Sequence, residues 1–166
     1  MLAILRPLTS KSSAGTGLLS VALSPLVRHY TATDIPDLVP LLRKNIIHNQ
    51  VTKNVTVEEL DWIYLQKLST GQRAQAFSFR HPIDIILAVD CLYHPTLILP
   101  LVETLDYLTV PEQTLVVIVC ELRSDEVTRD FLEAWITRSP GWEIHRIPGV
   151  LGRPYVVWAG YKIIFS

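Results

Sequence analysis

The sequence predicts a single α/β domain built on an open, mostly parallel β-sheet with helices on both faces. Short β-branched runs alternate with helical patterns along the 166 residues, which is typical of strands joined by crossover helices. Two runs, IDIILAV at 83–89 and LVVIVC at 115–120, are almost wholly apolar, as strands buried on both faces are. The last two runs are separated by a short link that contains Pro148, Gly149, Gly152 and Pro154, and no helix fits in it. They are therefore predicted to form an antiparallel hairpin.

Six strands are predicted from the β-branched runs, at residues 30–33, 55–60, 83–89, 114–120, 142–147 and 155–165. Apolar residues spaced three or four apart predict helices over 18–26, 38–46 and 97–108, and a fourth helix from Ser124 to Pro140. Pro25 marks the end of the first helix, and Pro100 requires the third to begin late or to bend. Ser124 is the expected N-cap of the fourth. Residues 66–82 are polar and aperiodic, and we interpret them as a surface loop or a frayed helix.

Composition excludes several classes of function. With 15 basic and 16 acidic side chains, a net charge of −1 argues against a protein that holds nucleic acid through its phosphates. No apolar run approaches the roughly 20 residues that span a bilayer, so no membrane partner is expected. The five histidines are scattered without the spacing of metal ligands, so no metal site is expected. Cys91 and Cys120 are expected to be buried thiols. We expect a monomer.

Ligands of such sheets bind beyond the carboxyl ends of the strands. Gly15, Thr16 and Gly17 lead into the first helix, where glycines allow a ligand to lie against the loop and the helix N-terminus; an ordinary turn is the alternative. Asp34 follows the first predicted strand, 17 positions after Gly17. A carboxylate there suits the hydroxyls of a ribose. Alternatively, Asp34 caps the helix that begins near Pro36.

Two further strand ends carry polar residues. Asp61 and Trp62 follow the second strand, where an aromatic face beside a carboxylate suits an adenine; Trp62 could equally cover the core. Asp90 follows the central apolar strand and begins the segment Asp90-Cys91-Leu92-Tyr93. An idle carboxylate would be costly at that mouth of the sheet. The alternative is a cap for the helix after Pro95.

Together these motifs resemble the seven-stranded methyltransferases, and within them the family 16 protein-lysine methyltransferases, which carry a D-x-x-Y motif. The stretches TATDIPDLVPLLRKNI and IDIILAVDCLYHPTLILPLVETL are similar to that family. The resemblance implies a Rossmann-like sheet of order 3-2-1-4-5-7-6 with the last strand antiparallel. It also implies S-adenosyl-L-methionine as methyl donor and a protein lysine as acceptor. The sequence is most similar to fungal enzymes of the methyltransferase-like 21 type that act on translation elongation factor 1-alpha, which implies a cytoplasmic protein.

Carried over by position, the resemblance assigns the candidate residues to parts of the site. The loop residues Gly15, Thr16 and Gly17 would hold the methionine part of the cofactor. Asp34 would bind the ribose, and Asp61 with Trp62 the adenine. Asp90 and Tyr93 would hold the target amine. We expect the strand tips that carry Gly17, Asp34 and Asp90 to converge on one pocket.

The sequence departs from the family at its start. The family's first motif, E-x-G-x-G-x-G after a hydrophobic strand, is replaced by MLAILRPLTSKSSAGTG, without the acid and with Ser13 at the first glycine. We expect residues 1–13 to be a replaced or truncated segment and residues 14–166 to form the methyltransferase domain. The central place of the first strand would be taken by Leu2–Leu5 or by Leu8–Ser13, or would stay empty at a large cost in unpaired backbone.

Several functions therefore stay open. The first is a protein-lysine methyltransferase, with activity impaired by the altered start. The second is a non-catalytic remnant or interaction module of the same fold. A small-molecule methyltransferase is a further alternative, because D-x-x-Y alone does not define the acceptor. An NAD-dependent oxidoreductase is disfavoured by the glycine spacing and by the absence of a Tyr-x-x-x-Lys pair.

Overall fold

Strands and helices alternate along the residues described by this computed structural model, which are 2–7, 17–77, 82–92, 94–152 and 154–164. The strands are β1 (Leu2–Pro7), β2 (Val27–Asp34), β3 (Val55–Glu59), β4 (Ile85–Val89), β5 (Leu115–Glu121), β6 (Trp142–Arg146) and β7 (Tyr155–Lys162). The α-helices are α1 (Leu18–Leu23), α2 (Val39–His48), α3 (Trp62–Lys67), α4 (Thr70–Ala76), α5 (Ile98–Leu108) and α6 (Asp125–Arg138). Short 3₁₀ turns cover Ser24–Leu26 and Pro95–Leu97.

One mixed sheet contains all seven strands, in the order β3-β2-β1-β4-β5-β7-β6. The pairs β2–β3 and β4–β5 are parallel, whereas β7 runs antiparallel to both β5 and β6. The predicted α/β class and the antiparallel hairpin at the end of the chain are confirmed. The strand order is also the one that the family resemblance implies.

The central strand β1 runs in the unexpected direction. It is antiparallel to both of its neighbours: Leu2 lies opposite Thr33 of β2 and Ala88 of β4, and Pro7 lies opposite Val27. The first of the alternatives is therefore correct, because residues from Leu2 onward fill the slot and pair the inner edges of β2 and β4. Its direction is reversed from that of a strand whose carboxyl end leads into a glycine loop. Residues 8–13 lie outside the described residues.

The helices agree with the sequence patterns except between residues 62 and 76. Helix α1 passes into the 3₁₀ turn that contains Pro25, and α5 begins at Ile98, so that Pro100 lies in its first turn and needs no bend. The Ser124 hydroxyl accepts a hydrogen bond from the Val127 amide at 3.3 Å, as expected of an N-cap.

The interpretation of residues 66–82 as a loop or a frayed helix is wrong for most of its length. It contains the end of α3 and all of α4. A capping box holds the start of α4, because Gln72 accepts from the Ser69 amide at 2.9 Å. No residue of α4 is buried, so the helix has no apolar stripe that a pattern search could find.

Each face of the sheet covers its own core. The residues of β4 alternate between them: Ile86 and Ala88 belong to the larger core, under α3, α5 and α6, and Leu87 belongs to the smaller one, under α1 and α2. Phe131 and Trp135 are fully buried in the larger core. Burial on both faces explains why the run at 83–89 is almost continuously apolar.

Asp106 of α5 joins that helix to the hairpin and makes stability depend on pH. Its Oδ1 atom lies 2.6 Å from Lys162 Nζ, and it accepts hydrogen bonds from Ser139 Oγ at 2.6 Å and Trp142 Nε1 at 3.1 Å. Burial works to raise the pKa of Asp106, but the hydrogen bonds from Lys162, Ser139 and Trp142 outweigh it and lower the pKa below its usual value. Asp106 therefore stabilises the fold above the unfolded-state pKa of about 3.9, and that contribution is lost as the pH falls through the lowered folded-state value.

We expect Asp106→Asn to destabilise the protein by about 1–3 kcal/mol at neutral pH, because the charge-assisted bonds are weakened. The difference from the wild type should be smaller at a pH of about 3, because the stabilisation that comes from the lowered pKa is lost progressively once the pH falls below the unfolded-state value of about 3.9. Urea denaturation at both pH values measures this, with Asp130→Asn as the control, since within the described ranges Asp130 pairs with its exposed neighbour Arg129. An equal difference at both pH values would contradict the assignment.

Candidate active site

A cleft opens at the carboxyl ends of β2 and β3, where the sequence predicts a nucleoside site. Its empty volume is about 580 Å³, which includes space open to solvent. The cleft is lined by Thr33, Asp34, Ile35, Leu38, Leu60, Asp61, Trp62, Ile63 and Leu97. The Leu60 amide donates to the Asp34 carbonyl at 2.9 Å, which fixes the two strand ends side by side. Asp34, Asp61 and Trp62, which were predicted from separate strand ends, therefore share one cleft.

Asp34 is the last residue of β2 and its carboxylate is half-buried. Oδ1 accepts a hydrogen bond from the adjacent Ile35 amide at 2.9 Å. Helix α2 begins only at Val39, with Leu38 as its N-cap and no side-chain cap, so the alternative that Asp34 caps this helix is wrong. Within the described residues Oδ2 of Asp34 makes no hydrogen bond, and it can accept from a ligand in the cleft.

Asp61 has both a structural role and a place in the cleft. Its Oδ1 caps α3 by accepting from the amides of Ile63 at 2.9 Å and Tyr64 at 3.1 Å, which leaves Oδ2 without a hydrogen bond in the described part of the chain. The cap fixes Trp62 as the first residue of α3. Trp62 is half-buried, packs against the larger core and also lines the cleft. Trp62 therefore covers part of the core, as the alternative interpretation has it, and its contact with an adenine stays a prediction.

Asp90 lies directly after β4, outside the cleft lining. Its backbone has φ of 52°, in the left-handed region that few residues other than glycine, asparagine and aspartate adopt, and its amide donates to the Val119 carbonyl at 2.7 Å. Oδ2 pairs with Arg123 Nη2 at 3.0 Å. The cap of the following 3₁₀ turn is His94, so the alternative that Asp90 caps this segment is wrong. Tyr93 lies outside the described residues.

Both cysteines are buried thiols, as expected. Burial raises the pKa of Cys91, and the carboxylates of Asp90 and Asp34 raise it further. Burial, followed by the charge of Asp90, raises the pKa of Cys120 to about 11. Both groups are neutral thiols near pH 7, which is unsuited to a nucleophile.

Gly17 has the positive φ expected of its position, at 91°, but it lies away from the cleft. It is buried at the start of α1, and a Cβ atom built on it would lie 3.6 Å from Asn45 Cβ and 3.7 Å from Leu42 Cδ2 of α2. Gly15 and Thr16 lie outside the described residues. Of Gly17, Asp34 and Asp90, the described lining of this cleft includes Asp34, and the convergence of the three on one pocket stays a prediction. A role for Gly17 and Asp90 stays a prediction.

Sequence reasoning missed Arg123 and Glu121. Arg123 donates to Asp90 through Nη2 and to Glu121 Oε2 through Nε at 2.8 Å. Both residues lie at or just after the carboxyl end of β5, so the rule that found Asp34 and Asp90 would have found them had it been applied to this strand. Among the described residues, no group of histidines, cysteines and carboxylates could hold a metal ion. Likewise, no helix in the described ranges has the length and apolar character needed to cross a membrane.

Comparison with known proteins identifies the family. A profile described as lysine methyltransferase matches residues 13–137. The chain is 38% identical over 117 residues to protein-lysine methyltransferase METTL21E of Bos taurus, covering 68% of this chain and 38% of that protein. It is 31% identical over 122 residues to EEF1A lysine methyltransferase 3 of Xenopus tropicalis, covering 72% and 49%.

A third relative has a different name. The chain is 34% identical over 133 residues to the diaminohydroxyphosphoribosylamino-pyrimidine deaminase of Schizosaccharomyces pombe, covering 78% of this chain but only 31% of that protein. The chain thus spans between about a third and a half of the length of these curated relatives.

Solved structures agree on the fold. The S-adenosylmethionine-dependent methyltransferase SibL in its apo form superposes with a TM-score of 0.63 at 17% identity, over 90% of this chain and 48% of that one. The structure of PigF with SAH superposes with a TM-score of 0.63 at 14% identity, over 91% of this chain and 54% of that one. These likenesses establish a Rossmann-like methyltransferase fold. Since the family profile covers most of the sequence, the chain belongs to the lysine methyltransferase family.

Proposed function

We propose that this chain is a methyltransferase domain that binds S-adenosyl-L-methionine and methylates a lysine of a protein. The observation that carries the proposal is the grouping of Asp34, Asp61 and Trp62 on one cleft at the carboxyl ends of β2 and β3, in a member of the lysine methyltransferase family. The position agrees with the general rule that open α/β sheets bind ligands there.

The cleft residues fit the adenosine part of the cofactor. Asp34 Oδ2 would accept hydrogen bonds from the ribose hydroxyls, and Asp61 Oδ2 from the exocyclic amine. Trp62 would pack against the adenine ring, and Leu38 and Leu97 supply apolar walls.

When bound, the cofactor supplies an electrophilic methyl group on a sulfonium. Held by Asp34, Asp61 and Trp62, it would supply that methyl group to the lone pair of a neutral lysine amine; the electron pair of the broken carbon–sulfur bond would stay on sulfur, and the product ammonium would release a proton to solvent. Alignment of the two reacting atoms is the main contribution available to the protein. Asp90 would orient the amine through a hydrogen bond rather than remove its proton, because a carboxylate favours the charged form of lysine.

We propose translation elongation factor 1-alpha as the substrate and the cytoplasm as the place of reaction. Support for the substrate comes from the relative named EEF1A lysine methyltransferase 3 and from the resemblance to fungal enzymes of the same specificity. The relatives are about two to three times as long as the matched part of this chain, so segments outside the match could define their substrates.

A second candidate function is a non-catalytic interaction module. The reversed direction of β1 favours it, because the amino end of β1, and not its carboxyl end, lies beside the carboxyl ends of β2 and β4. Such a module would keep the fold without binding the cofactor.

Calorimetric titration of the whole chain with S-adenosylhomocysteine separates the two. Under the first function we expect binding at one site per chain, weakened at least about tenfold by Asp34→Asn, because a charge-assisted bond to the ribose is worth more than about 1.4 kcal/mol. Asp37→Asn is the matched control, since Asp37 is exposed in the turn that follows β2, and it should leave the affinity within about twofold. No binding by the wild type would favour the interaction module.

A further inference from the structure

We propose that Arg123 is a positioning residue of the transfer reaction, which holds and neutralises Asp90 so that the target lysine can lose its proton to solvent and react as a neutral amine. This inference rests on the proposed methyltransferase function. It assigns a role to a side chain that the D-x-x-Y motif does not include.

The geometry leaves one side of Asp90 for a substrate. Arg123 Nη2 binds Oδ2 at 3.0 Å, whereas Oδ1 has no hydrogen bond in the described parts of the chain. The left-handed backbone of Asp90 and its amide bond to Val119 fix where the carboxylate stands. A lysine amine can therefore donate an N–H to Oδ1 while Arg123 stays in place.

Glu121 fixes Arg123 in turn. Its Oε2 atom accepts from Arg123 Nε at 2.8 Å, and the Arg123 amide donates to the Glu121 carbonyl at 3.0 Å. The two side-chain contacts use different nitrogens of one planar guanidinium, which holds the plane in a defined direction. Asp90 and Arg123 are each about half exposed, at 48% and 52%, so an incoming side chain can reach the pair from solvent.

The charges decide how a lysine behaves at this place. Asp90 and Glu121 contribute −2 and Arg123 contributes +1, so the cluster carries −1 with Arg123 and −2 without it. Among the other described groups, Cys91 and Cys120 interact with Asp90 and are neutral, because their pKa values are raised. The Asp34 carboxylate acts on Cys91 from the end of β2. A more negative cluster holds the proton on the lysine more strongly. Arg123 therefore increases the fraction of neutral amine at a given pH.

The test is the pH dependence of methyl transfer to purified elongation factor 1-alpha, with saturating S-adenosyl-L-methionine, for the wild type and for charge variants. We expect Arg123→Gln to move the acidic limb of the rate profile upward by about one pH unit, which gives roughly a tenfold loss near pH 7 and recovery near pH 9.5. Glu121→Gln keeps an oxygen for Arg123 Nε but removes a negative charge, so the acidic limb of its rate profile should move to lower pH. Arg123→Lys keeps the charge and should stay near the wild-type profile.

Arg28→Gln is the control for a simple change in total charge, because Arg28 is exposed at the opposite edge of the sheet, near the start of β2. Its profile should not move. A loss of rate in Arg123→Gln that is the same at every pH, or a downward shift of its limb, would overturn the assignment while leaving the methyltransferase function intact. If the wild type transfers no methyl group at any pH, the proposed function fails and the role of Arg123 fails with it.

Discussion

Replacement of Gly160 by valine is expected to destabilise the protein by about 3 kcal/mol or more, because no space exists for a side chain at that position. Gly160 lies in β7 between Val116 of β5 and Ile144 of β6. A Cβ atom there would overlap Cζ2 of Trp135 and lie 2.8 Å from Cη2 of the same ring. Urea denaturation measures the effect, with Gly152→Val as the matched control, since a Cβ on Gly152 would meet nothing within 4 Å.

The indole of Trp135 cannot move aside cheaply. It is fully buried, and its ring centroid lies 5.3 Å from that of Phe131 and 5.4 Å from that of Trp142. Its Nε1 atom has no hydrogen-bond partner among the described residues, so Trp135→Phe removes volume without breaking a bond seen there. In the double variant Trp135→Phe with Gly160→Ala, we expect a cost smaller than the sum of the two single costs. Additive costs would show that the clash is not between these two residues.

The second large effect concerns Asp90. We expect Asp90→Ala to lower the rate of methyl transfer at least about 100-fold, because the amine loses the group that orients it. Its affinity for S-adenosylhomocysteine should stay within about twofold, since Asp90 does not line the cleft that holds Asp34. Radiolabel transfer and calorimetry on the same preparation measure the two quantities.

Asp90→Asn controls for the backbone. Asparagine tolerates the left-handed conformation that Asp90 adopts at φ of 52°, whereas alanine there adds strain of about 1 kcal/mol. Asparagine also keeps an oxygen for the amine, and we expect it to retain part of the transfer rate. A loss of cofactor affinity comparable to the loss of rate in either variant would place Asp90 in the cofactor site instead.

The sequence patterns predicted the strands of the sheet because apolar, β-branched runs indicate buried strands. These patterns could not predict the direction of β1, since an apolar run such as LAIL fits between two neighbouring strands in either direction. Helix α4 was not predicted because it buries no side chain and therefore has no apolar periodicity. Length and composition constrain neither feature.

The predictions for the candidate site rest on polar and aromatic residues at strand ends. Asp34, Asp61 and Trp62 were predicted because each lies at or just after the end of a strand, and the structure groups them on one cleft. The pairing of Asp90 with Arg123 was missed because it joins residues 33 positions apart, through contacts between side chains that no local pattern encodes. The packing of Gly17 on α2 depends on how two helices cross, which sequence spacing does not determine.

The place of β1 has a mechanical consequence. In the described part of the chain, β1 is the strand that joins the pair β3–β2 to the group β4–β5–β7–β6, so six residues of backbone connect the half that carries Asp34 and Asp61 to the half that carries Asp90 and Arg123. Amides on the inner edges of β2 and β4 should exchange with deuterium together, in one cooperative opening that parts the two halves. The distance between the groups proposed to bind the nucleoside and those proposed to bind the amine therefore depends on the two ladders of hydrogen bonds that flank β1.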